Sequence, residues 1–480
     1  MKKTITLFAI IIALNALAQS GITWTTGLNI ATSATGNEHP RIATDAAGNP
    51  LVLWGYNERA MFSRWNGTAF TAPVMLNPMT MTIAEASWMG PDIASHGDTV
   101  YVVFKKTPEA DTASHIFIVR SVNGGASFSL PVRVDGITDT ITRFPTVTTD
   151  AIGNPIVGFM KFNISFGNAQ WAVATSADFG TTFSQSVLAS GWSSSTSTVC
   201  DCCPGGVVNS GNTVAMLYRD NNSNIRDSWA GISTDVGNTF TSGINVDQNN
   251  WLLMSCPATG PDGVIIGDTL YSVFMNGAFS TRNYFSKTSI STSTVLANTL
   301  TGSIAGLSSQ NYPRIATDGN AVAIVWKQYV SGSDQLPVLF TTNIASGFPA
   351  AYDTVDLSNI TNADVAISNG NIYVVWQDDN SGTVKYRKGT FTIPTGVEKG
   401  KSENLVFAFP NPVADKLHFS HYQFEVGDKI EVKNILGEIV LSNVFSSVLE
   451  SLDISGLNRG IYFVKISSGG QLFVAKIVKD

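Results

Sequence analysis

The chain has 480 residues, a formal net charge of −7 and a pI of about 5.3, and only 14% of its residues are charged. A general nucleic-acid-binding protein needs a basic surface, so the acidic balance excludes that class. The 44% of hydrophobic residues exclude disorder for most of the chain. The length suits roughly two to four domains, or one large repeat domain with a small one.

The start of the chain has the composition of an export signal. Two lysines precede the apolar range 4–14, and Ala16 and Ala18 provide the small residues of a cleavage site. This order predicts a secretory signal peptide over residues 1–18. A membrane anchor is the alternative, but the apolar range is too short to span a bilayer comfortably. No later segment is as apolar over 18 residues, so we expect no membrane span in the mature protein.

A pattern of about fifty residues recurs seven times after the signal peptide. Each copy has a short apolar strand, which follows a proline in most copies, then a polar turn and a second apolar strand that ends in an aromatic residue. These aromatic residues, 50 to 59 positions apart, are Trp54, Phe104, Phe159, Tyr218, Phe274, Trp326 and Trp376. Paired, nearly continuous apolar strands are typical of the inner part of a propeller blade. The sequence therefore predicts an all-β protein with a β-propeller over residues 21–391.

The number of copies favours seven blades, with six blades and one irregular repeat as the alternative. The last copy ends near Phe391 and has only three strands. Residues 22–30, which precede the first copy, can supply its fourth strand. That pairing would close the ring and remove a free sheet edge.

Three copies carry an octapeptide between their third and fourth strands, at residues 121–128, 176–183 and 233–240. The acid of this S-x-D-x-G-x-T-F spacing can cap turn amides, the glycine can take a positive φ, and the aromatic residue can pack into the blade. The spacing resembles the Asp box, or BNR repeat, of sialidase-like propellers, where the box is structural. The resemblance implies the propeller fold and is a weak indication of sialidase activity.

A glycoside hydrolase of the exo-α-sialidase type is the alternative function. Sialidases use an arginine triad, a tyrosine nucleophile activated by a glutamate, and an aspartate acid/base. Arg41, Arg143 and Arg314 are candidate arginines, but each can equally form a structural ion pair. The propeller contains only four glutamates, which are Glu38, Glu58, Glu85 and Glu109. The later blades, where sialidases place the base, have none, so the sequence favours binding over catalysis.

All four cysteines lie close together in the sequence, as Cys200, Cys202, Cys203 and Cys256. An even number in an exported chain favours two disulfides, one of which joins Cys256 to a member of the triplet. A copper or zinc thiolate site, or a redox site, is the alternative. No histidine is near in the sequence, and we expect neither a metal nor a cofactor.

The loops around these cysteines carry the densest set of polar residues. Loops at the starts of inner strands and loops between second and third strands open on the same face of a propeller. The predicted ligand-binding residues on this face are Arg219, Asp220, Arg226, Asp227 and Trp251. Immobile arginines on a rigid scaffold suit anions or glycans, and salt bridges are the structural alternative. No catalytic residue is assigned.

The end of the chain differs in composition. Residues 392–402 are predicted to be a linker and residues 403–480 a small β-sandwich. The features of this segment include the P-N-P motif at 410–412, the N-I-L-G-E turn at 434–438 and the L-x-x-G-I-Y-F segment at 457–463. They resemble the type A sorting domain of the type IX secretion system of Bacteroidetes. An ordinary adhesive β-sandwich is the alternative.

This resemblance implies a partnership with the type IX secretion machinery and passage through the periplasm and outer membrane to a secreted or cell-surface location. We therefore expect a secreted propeller that binds an extracellular glycan or another polymer. The sequence does not identify the ligand.

Overall fold

The structure, a computed structural model, describes residues 21–31, 35–302, 304–392, 407–420, 426–444, 451–468 and 471–480. The chain divides between residues 393 and 394 into two compact units. The predicted signal peptide and residues 393–402 of the predicted linker lie outside the described residues. Within the described ranges, one 3-10 turn at Ile344–Ser346 accompanies β-strands only, which confirms the all-β class. No helix in these ranges is long and apolar enough to cross a membrane.

The described part of the N-terminal unit forms seven antiparallel sheets of four or five strands, and we treat each sheet as one blade. The strands before blade 4 are β1 (Ile22–Trp24), β2 (Leu28–Asn29), β3 (Asn37–Thr44), β4 (Pro50–Tyr56), β5 (Ala60–Arg64), β6 (Val74–Met75), β7 (Asp92–His96), β8 (Thr99–Lys105), β9 (Ile116–Ser121), β10 (Val132–Arg133), β11 (Ile141–Thr149), β12 (Pro155–Phe162), β13 (Gln170–Thr175) and β14 (Val187–Leu188). The later strands are β15 (Thr198–Val199), β16 (Gly206–Ser210), β17 (Thr213–Asn221), β18 (Ser228–Ser233), β19 (Ser242–Asn245), β20 (Asp262–Ile266), β21 (Thr269–Asn276), β22 (Arg282–Ser289), β23 (Thr294–Leu300), β24 (Leu307–Asp318), β25 (Ala321–Val330), β26 (Ser333–Thr341), β27 (Asp353–Asp356), β28 (Ile360–Ser368), β29 (Asn371–Asp378) and β30 (Thr383–Phe391).

Blades 1 to 3 are β3–β6, β7–β10 and β11–β14, and blade 4 contains β15–β19. Blades 5 and 6 are β20–β23 and β24–β27, and blade 7 joins β28–β30 to β1 and β2. The inner strands β3, β7, β11, β16, β20, β24 and β28 contact one another in this order, and β28 contacts β3. The sheets therefore form a closed propeller ring.

The two ends of the propeller pair in blade 7, where the sequence predicted closure. Thr23 of β1 lies opposite Thr390 of β30, and Leu28 of β2 lies opposite Tyr386. Ile22 is buried in the same apolar cluster as residues of blades 6 and 7. The N-terminal strand thus covers the outer edge of the last blade.

The second strand of each blade is buried because neighbouring blades cover both of its faces. Leu51, Val52 and Leu53 of β4 are fully buried, as are Val322–Trp326 of β25. A strand covered on both faces has no solvent side that would favour polar residues. This packing explains why these strands are continuous apolar runs in the sequence.

The octapeptides fold as structural turns between the third and fourth strands of blades 2, 3 and 4. In blade 3 the Asp178 carboxylate accepts hydrogen bonds from Ser176 Oγ at 2.8 Å and from the Thr182 amide at 2.8 Å. The Gly180 amide donates to Ser176 Oγ at 2.8 Å, and Gly180 has a φ of +81°. The turn at 233–240 repeats these bonds, and the turn at 121–128 makes similar ones through an asparagine.

The C-terminal unit contains two antiparallel sheets among its described residues. Its strands are β31 (Phe407–Phe409), β32 (Lys416–Ser420), β33 (Lys429–Asn434), β34 (Ile439–Val444), β35 (Leu452–Asp453), β36 (Gly460–Ser468) and β37 (Gln471–Lys479). Leu417 and Leu452 of one sheet share an apolar core with Ile430, Val464 and Ile477 of the other. This arrangement is the predicted small β-sandwich.

Candidate functional site

One position of the inner strand is equivalent in all seven blades. In each blade the residue just before the terminal aromatic of the second strand pairs with one inner-strand residue. These seven residues, which we call the axial ring, are Arg41, Asp92, Thr146, Gly206, Asp262, Arg314 and Asp364. The ring places two arginines and three aspartates around the propeller axis.

The side chains of the axial ring join each blade to the next. Asp92 accepts a hydrogen bond from the Val147 amide of blade 3 at 3.1 Å. In the same way Asp262 accepts from the Ile315 amide of blade 6 at 3.0 Å, and Asp364 from the amide of Ile42 in blade 1 at 3.0 Å. Thr146 Oγ1 accepts a longer hydrogen bond, of 3.3 Å, from the Val207 amide of blade 4. The three aspartate bonds satisfy amides that directly follow the bulges of β11, β24 and β3.

The two ring arginines complete the junctions through ion pairs. Arg314 Nε lies 3.1 Å from Asp364 Oδ1 and 3.3 Å from Asp262 Oδ2. Arg41 Nε lies farther from its carboxylate, 3.9 Å from Asp92 Oδ1. Burial alone would lower the pKa of Arg314, but the three aspartates raise it above its ordinary value. Burial, followed by the charge of Arg314, lowers the pKa of Arg41 to about 10.

The ring has no side chain at Gly206, at the junction between blades 4 and 5. A Cβ at Gly206 would lie 3.3 Å from Asp262 Oδ1, so even a small side chain is crowded there. At this junction Cys202, before the inner strand of blade 4, forms a disulfide with Cys256, before that of blade 5. A covalent link thus joins the two blades where the ring provides no side chain.

The second disulfide joins Cys200 to Cys203 within blade 4. Both predictions about the cysteines are confirmed in the structure, namely two disulfides and a bridge from Cys256 to the triplet. All four Sγ atoms lie within 4.8 Å of one another, and Cys200 Sγ is 3.6 Å from Cys202 Sγ. Reduced cysteines at these distances could ligate one thiophilic metal, but cysteines in disulfides have no thiolate to offer.

The two disulfides should differ in their effect on stability. The Cys202–Cys256 bridge spans 54 residues and the Cys200–Cys203 bridge spans 3. We expect Cys202→Ala/Cys256→Ala to lower the free energy of unfolding by about 4 kcal/mol and Cys200→Ala/Cys203→Ala by about 2 kcal/mol, from loop-closure entropy. Denaturant unfolding checks this, and intact mass before and after reduction counts the bridges. Four alkylatable thiols or bound metal in protein purified without chelator would contradict the disulfide assignment.

Arg219 lies at the same junction and makes the contacts of a structural residue, and its assignment to the ligand-binding set stays a prediction. Its side chain is fully buried. Nε donates to the Thr259 carbonyl at 3.2 Å and Nη2 to the Met275 carbonyl at 2.6 Å, both in blade 5, and Nη1 donates to the Arg226 carbonyl at 2.6 Å. Trp251 lies 5.1 Å from the guanidinium carbon. Each of the three guanidinium nitrogens therefore donates to a backbone carbonyl, and the side chain is not exposed to solvent.

The other four predicted ligand-binding residues lie around Arg219 and are buried too. Asp227 accepts hydrogen bonds from the amides of Asn250 and Trp251, at 3.1 and 2.9 Å. Arg226 Nε donates to the Leu253 carbonyl at 3.0 Å, while its Nη1 has no protein partner among the described residues. Burial raises the pKa of Asp220 to about 6. The structure brings the five residues together, and ligand binding by them stays a prediction.

A pocket that the sequence did not predict opens on the propeller axis beside the ring. Its cavity volume is about 50 Å³, and all seven blades or the loops between them contribute to its wall. His39, Trp88, Phe144, Tyr312 and Asn362 line it together with Arg41 and Arg314. We call it the axial pocket.

Three of the lining side chains are held by unusual backbone conformations. His39, Phe144 and Tyr312 have φ values of +53°, +50° and +50°, and each immediately precedes a proline at the bulge of its inner strand. Bulky residues rarely adopt this region, and such conformations cluster at functional sites. A bulky residue directly before the proline of an inner strand is the sequence signal that could have predicted these pocket residues.

Most aromatic residues that end the second strands are core residues. Trp54, Trp326 and Trp376 are at most 2% exposed, and their indole nitrogens donate to polar side chains. Trp88, in the loop between blades 1 and 2, is partly exposed and lines the axial pocket. Arg143 stacks on Phe144 with its guanidinium carbon 4.6 Å from the ring centroid, and it lies 5.7 Å from the Trp88 ring.

The groups that sialidase chemistry would need are engaged elsewhere or unactivated. Arg143 forms a two-point ion pair with Glu109, at 2.6 and 3.0 Å. Burial, and then the charge of Asp379, raise the pKa of Tyr312, which is the opposite of what a nucleophile needs. Burial raises the pKa of Glu85 to about 7, but Glu85 does not line the pocket.

Comparison with known families identifies the C-terminal unit. Residues 408–480 match the family model of the secretion system C-terminal sorting domain. The chain carries a type IX secretion sorting domain. This sorting domain indicates secretion by the type IX system to the cell surface or the extracellular space, as the sequence predicted. No curated protein matches the chain.

Several solved structures are similar to the chain at low identity. A protein of unknown function from Dyadobacter fermentans is 12% identical with a TM-score of 0.47, over 67% of this chain and 98% of that one. The α-L-arabinofuranosidase Arb93A of Fusarium graminearum is 12% identical with a TM-score of 0.44, over 67% and 98%. The Trypanosoma rangeli sialidase is 9% identical with a TM-score of 0.44, over 95% and 88%. No activity is transferred from these proteins at such values.

Proposed function

We propose that the protein is a secreted binding protein that recognises an extracellular glycan in the axial pocket, without hydrolysing it. The observation that carries the proposal is the set of three bulky side chains, His39, Phe144 and Tyr312, held at the pocket in left-handed backbone conformations. Each such residue costs about 1–3 kcal/mol of folding free energy. Three of them around one pocket support a function there.

The lining has the chemistry that sugars require. The partly exposed rings of Trp88 and Tyr312 offer flat apolar surfaces on which the C–H faces of a sugar can stack. Polar groups of His39 and Asn362 lie between them and can bind hydroxyl groups. A concave site with a few converging polar groups is the usual form of a small-ligand site.

The charged groups support binding over hydrolysis. Most glycoside hydrolases use two carboxyl groups that are free to donate and accept protons, and sialidases also need a free aspartate as acid/base. Asp92, Asp262 and Asp364 each accept a backbone amide hydrogen bond and lie beside an arginine. Protonation of any of them would break part of the junction between two blades.

Trp88→Ala should weaken glycan binding without unfolding the propeller. The exported protein is applied to a glycan array, and affinity for the best glycan is measured by calorimetry. We expect a loss of at least about tenfold, since an aromatic platform contributes roughly 1.4 kcal/mol or more. Trp65→Ala is the matched control, because Trp65 is also partly buried but packs against Phe70 away from the pocket.

Two results would contradict this proposal. Absence of binding to every arrayed glycan would remove glycan recognition as the function. Release of product from a fluorogenic sialoside or arabinofuranoside, lost in Trp88→Ala, would instead establish a glycoside hydrolase.

A further inference from the structure

The arginines near the axial pocket are all neutralised by neighbouring carboxylates. Arg314 contacts two aspartates, Arg41 faces Asp92, and Arg143 is held by both oxygens of Glu109. These three cations stand against four carboxylates, three in the axial ring and one at Glu109. The local charge is therefore −1 and offers no excess positive charge.

A site for an anionic sugar needs the opposite arrangement. A carboxylate ligand is bound strongly when it meets arginines that have no other partner. Here a ligand carboxylate would have to displace Asp92, Asp262 or Asp364, which would leave a buried charge uncompensated. The electrostatics of the pocket thus disfavour a sialic acid or uronic acid.

Three residues that line the pocket each have a buried polar side-chain atom with no protein partner among the described residues. The atoms are Nδ1 of His39, a residue 4% exposed, Nδ2 of Asn362, a residue 5% exposed, and Oγ1 of Thr259, a residue 1% exposed. Burial, reinforced by the charges of Arg41 and Arg314, lowers the pKa of His39, so the ring is neutral. Because Nδ1 has no protein partner and the Ser87 backbone interacts with the imidazole, we assign the proton of the neutral ring to Nε2, which makes Nδ1 an acceptor.

Unpaired buried polar atoms are costly unless another group satisfies them. An acceptor and a donor in the same pocket wall match sugar hydroxyl groups, each of which can donate and accept. A ligand that supplied hydroxyl groups would satisfy both atoms without bringing a charge.

We propose that the axial pocket selects uncharged sugars, with His39 Nδ1 accepting a hydrogen bond from one ligand hydroxyl and Asn362 Nδ2 donating one to another. This inference rests on the proposed glycan-binding function. It adds the substrate class and two specificity-determining residues.

The test uses pairs of arrayed glycans that share one core and differ only by a terminal sialic acid or uronic acid. The full exported protein is applied, and the affinity of the best pair is measured by calorimetry. We expect the uncharged member of each pair to bind at least about tenfold more tightly, which corresponds to about 1.4 kcal/mol.

Substitutions then test the two residues. Asn362→Leu should weaken binding by about tenfold, the loss of one neutral hydrogen bond, while the melting temperature is kept because no internal bond is lost. Asn283→Leu is the matched control, since Asn283 is also buried with an unpartnered amide but lies outside the pocket wall. For the histidine, His39→Asn keeps a polar atom near the Nδ1 position, whereas His39→Gln keeps one near the Nε2 position. We therefore expect His39→Asn to bind the glycan more tightly than His39→Gln.

The outcomes separate this inference from the proposed function. Tighter binding of the acidic members would overturn the selection of uncharged sugars and leave glycan binding intact. No binding to either member would overturn both. Unchanged affinity in Asn362→Leu, or equal affinity of the two His39 variants, would overturn the assignment of those residues.

Discussion

Arg219→Ala is expected to destabilise the propeller by about 3–5 kcal/mol, because it removes a fully buried cation from a joint between two blades. Its loss leaves the carbonyls of Thr259, Met275 and Arg226 without their donor. Two of those carbonyls belong to blade 5, so the contact between blades 4 and 5 should open first. Denaturant unfolding of the exported protein, with the Trp fluorescence of the propeller as the signal, measures the change.

Arg282→Ala is the matched control for this experiment. Arg282 also donates to three carbonyls, those of Leu307 and Ser308 at 2.9 Å each and that of Thr281 at 3.1 Å, but it is partly exposed and water can replace its bonds. We expect a loss below about 1 kcal/mol. If Arg219→Ala kept its stability and lost its ligand, the five residues would be a binding site and the structural assignment would be wrong.

Arg314→Met is expected to cost about 3–5 kcal/mol at pH 7, because it leaves two buried aspartates of the axial ring facing each other without a cation. In the native protein, Arg314 Nε lies 3.1 Å from Asp364 Oδ1 and 3.3 Å from Asp262 Oδ2. Thermal and denaturant unfolding at several pH values measure the loss.

The loss should shrink as the pH falls. Burial already raises the pKa of Asp262, and removal of Arg314 would raise it further. A carboxyl group whose pKa is higher in the folded than in the unfolded state lowers the free energy of unfolding, and this penalty is complete at pH values above the folded-state pKa. The penalty disappears as the pH falls towards the unfolded value of about 3.9. The difference in stability from the native protein should therefore be smaller at pH 4 than at pH 7.

A compensated variant provides the control. Arg314→Met combined with Asp262→Asn and Asp364→Asn removes the whole charged set but keeps carbonyl oxygens that can accept the amides of Ile315 and Ile42. It should regain most of the lost stability. A stable Arg314→Met protein that had lost glycan binding would instead support the arginine-triad hypothesis and contradict our view of the ring.

The repeated pattern of the sequence predicted the propeller because blade strands carry local signals. Two apolar strands per copy, at a nearly constant period, are visible without any knowledge of contacts, and so are the octapeptide turns around Asp178 and Asp235. The closure of blade 7 by residues 22–30 was also predictable, since the last copy lacked one strand. The sorting domain was recognised from motifs within a single segment.

The sequence by itself determined the fold class, the repeats, the Asp boxes, the export route and the clustering of the cysteines. Only the tertiary structure decided which polar residues face solvent. Arg219 follows an apolar run and Arg41 begins one. Nothing in the neighbouring sequence shows that the next blade would enclose Arg219 or that Arg41 would line a pocket. The axial pocket combines residues from seven copies, including His39 and Asn362, that are more than 300 positions apart. Such a site exists only when the ring closes, because its groups meet through contacts between blades and not through spacing along the chain.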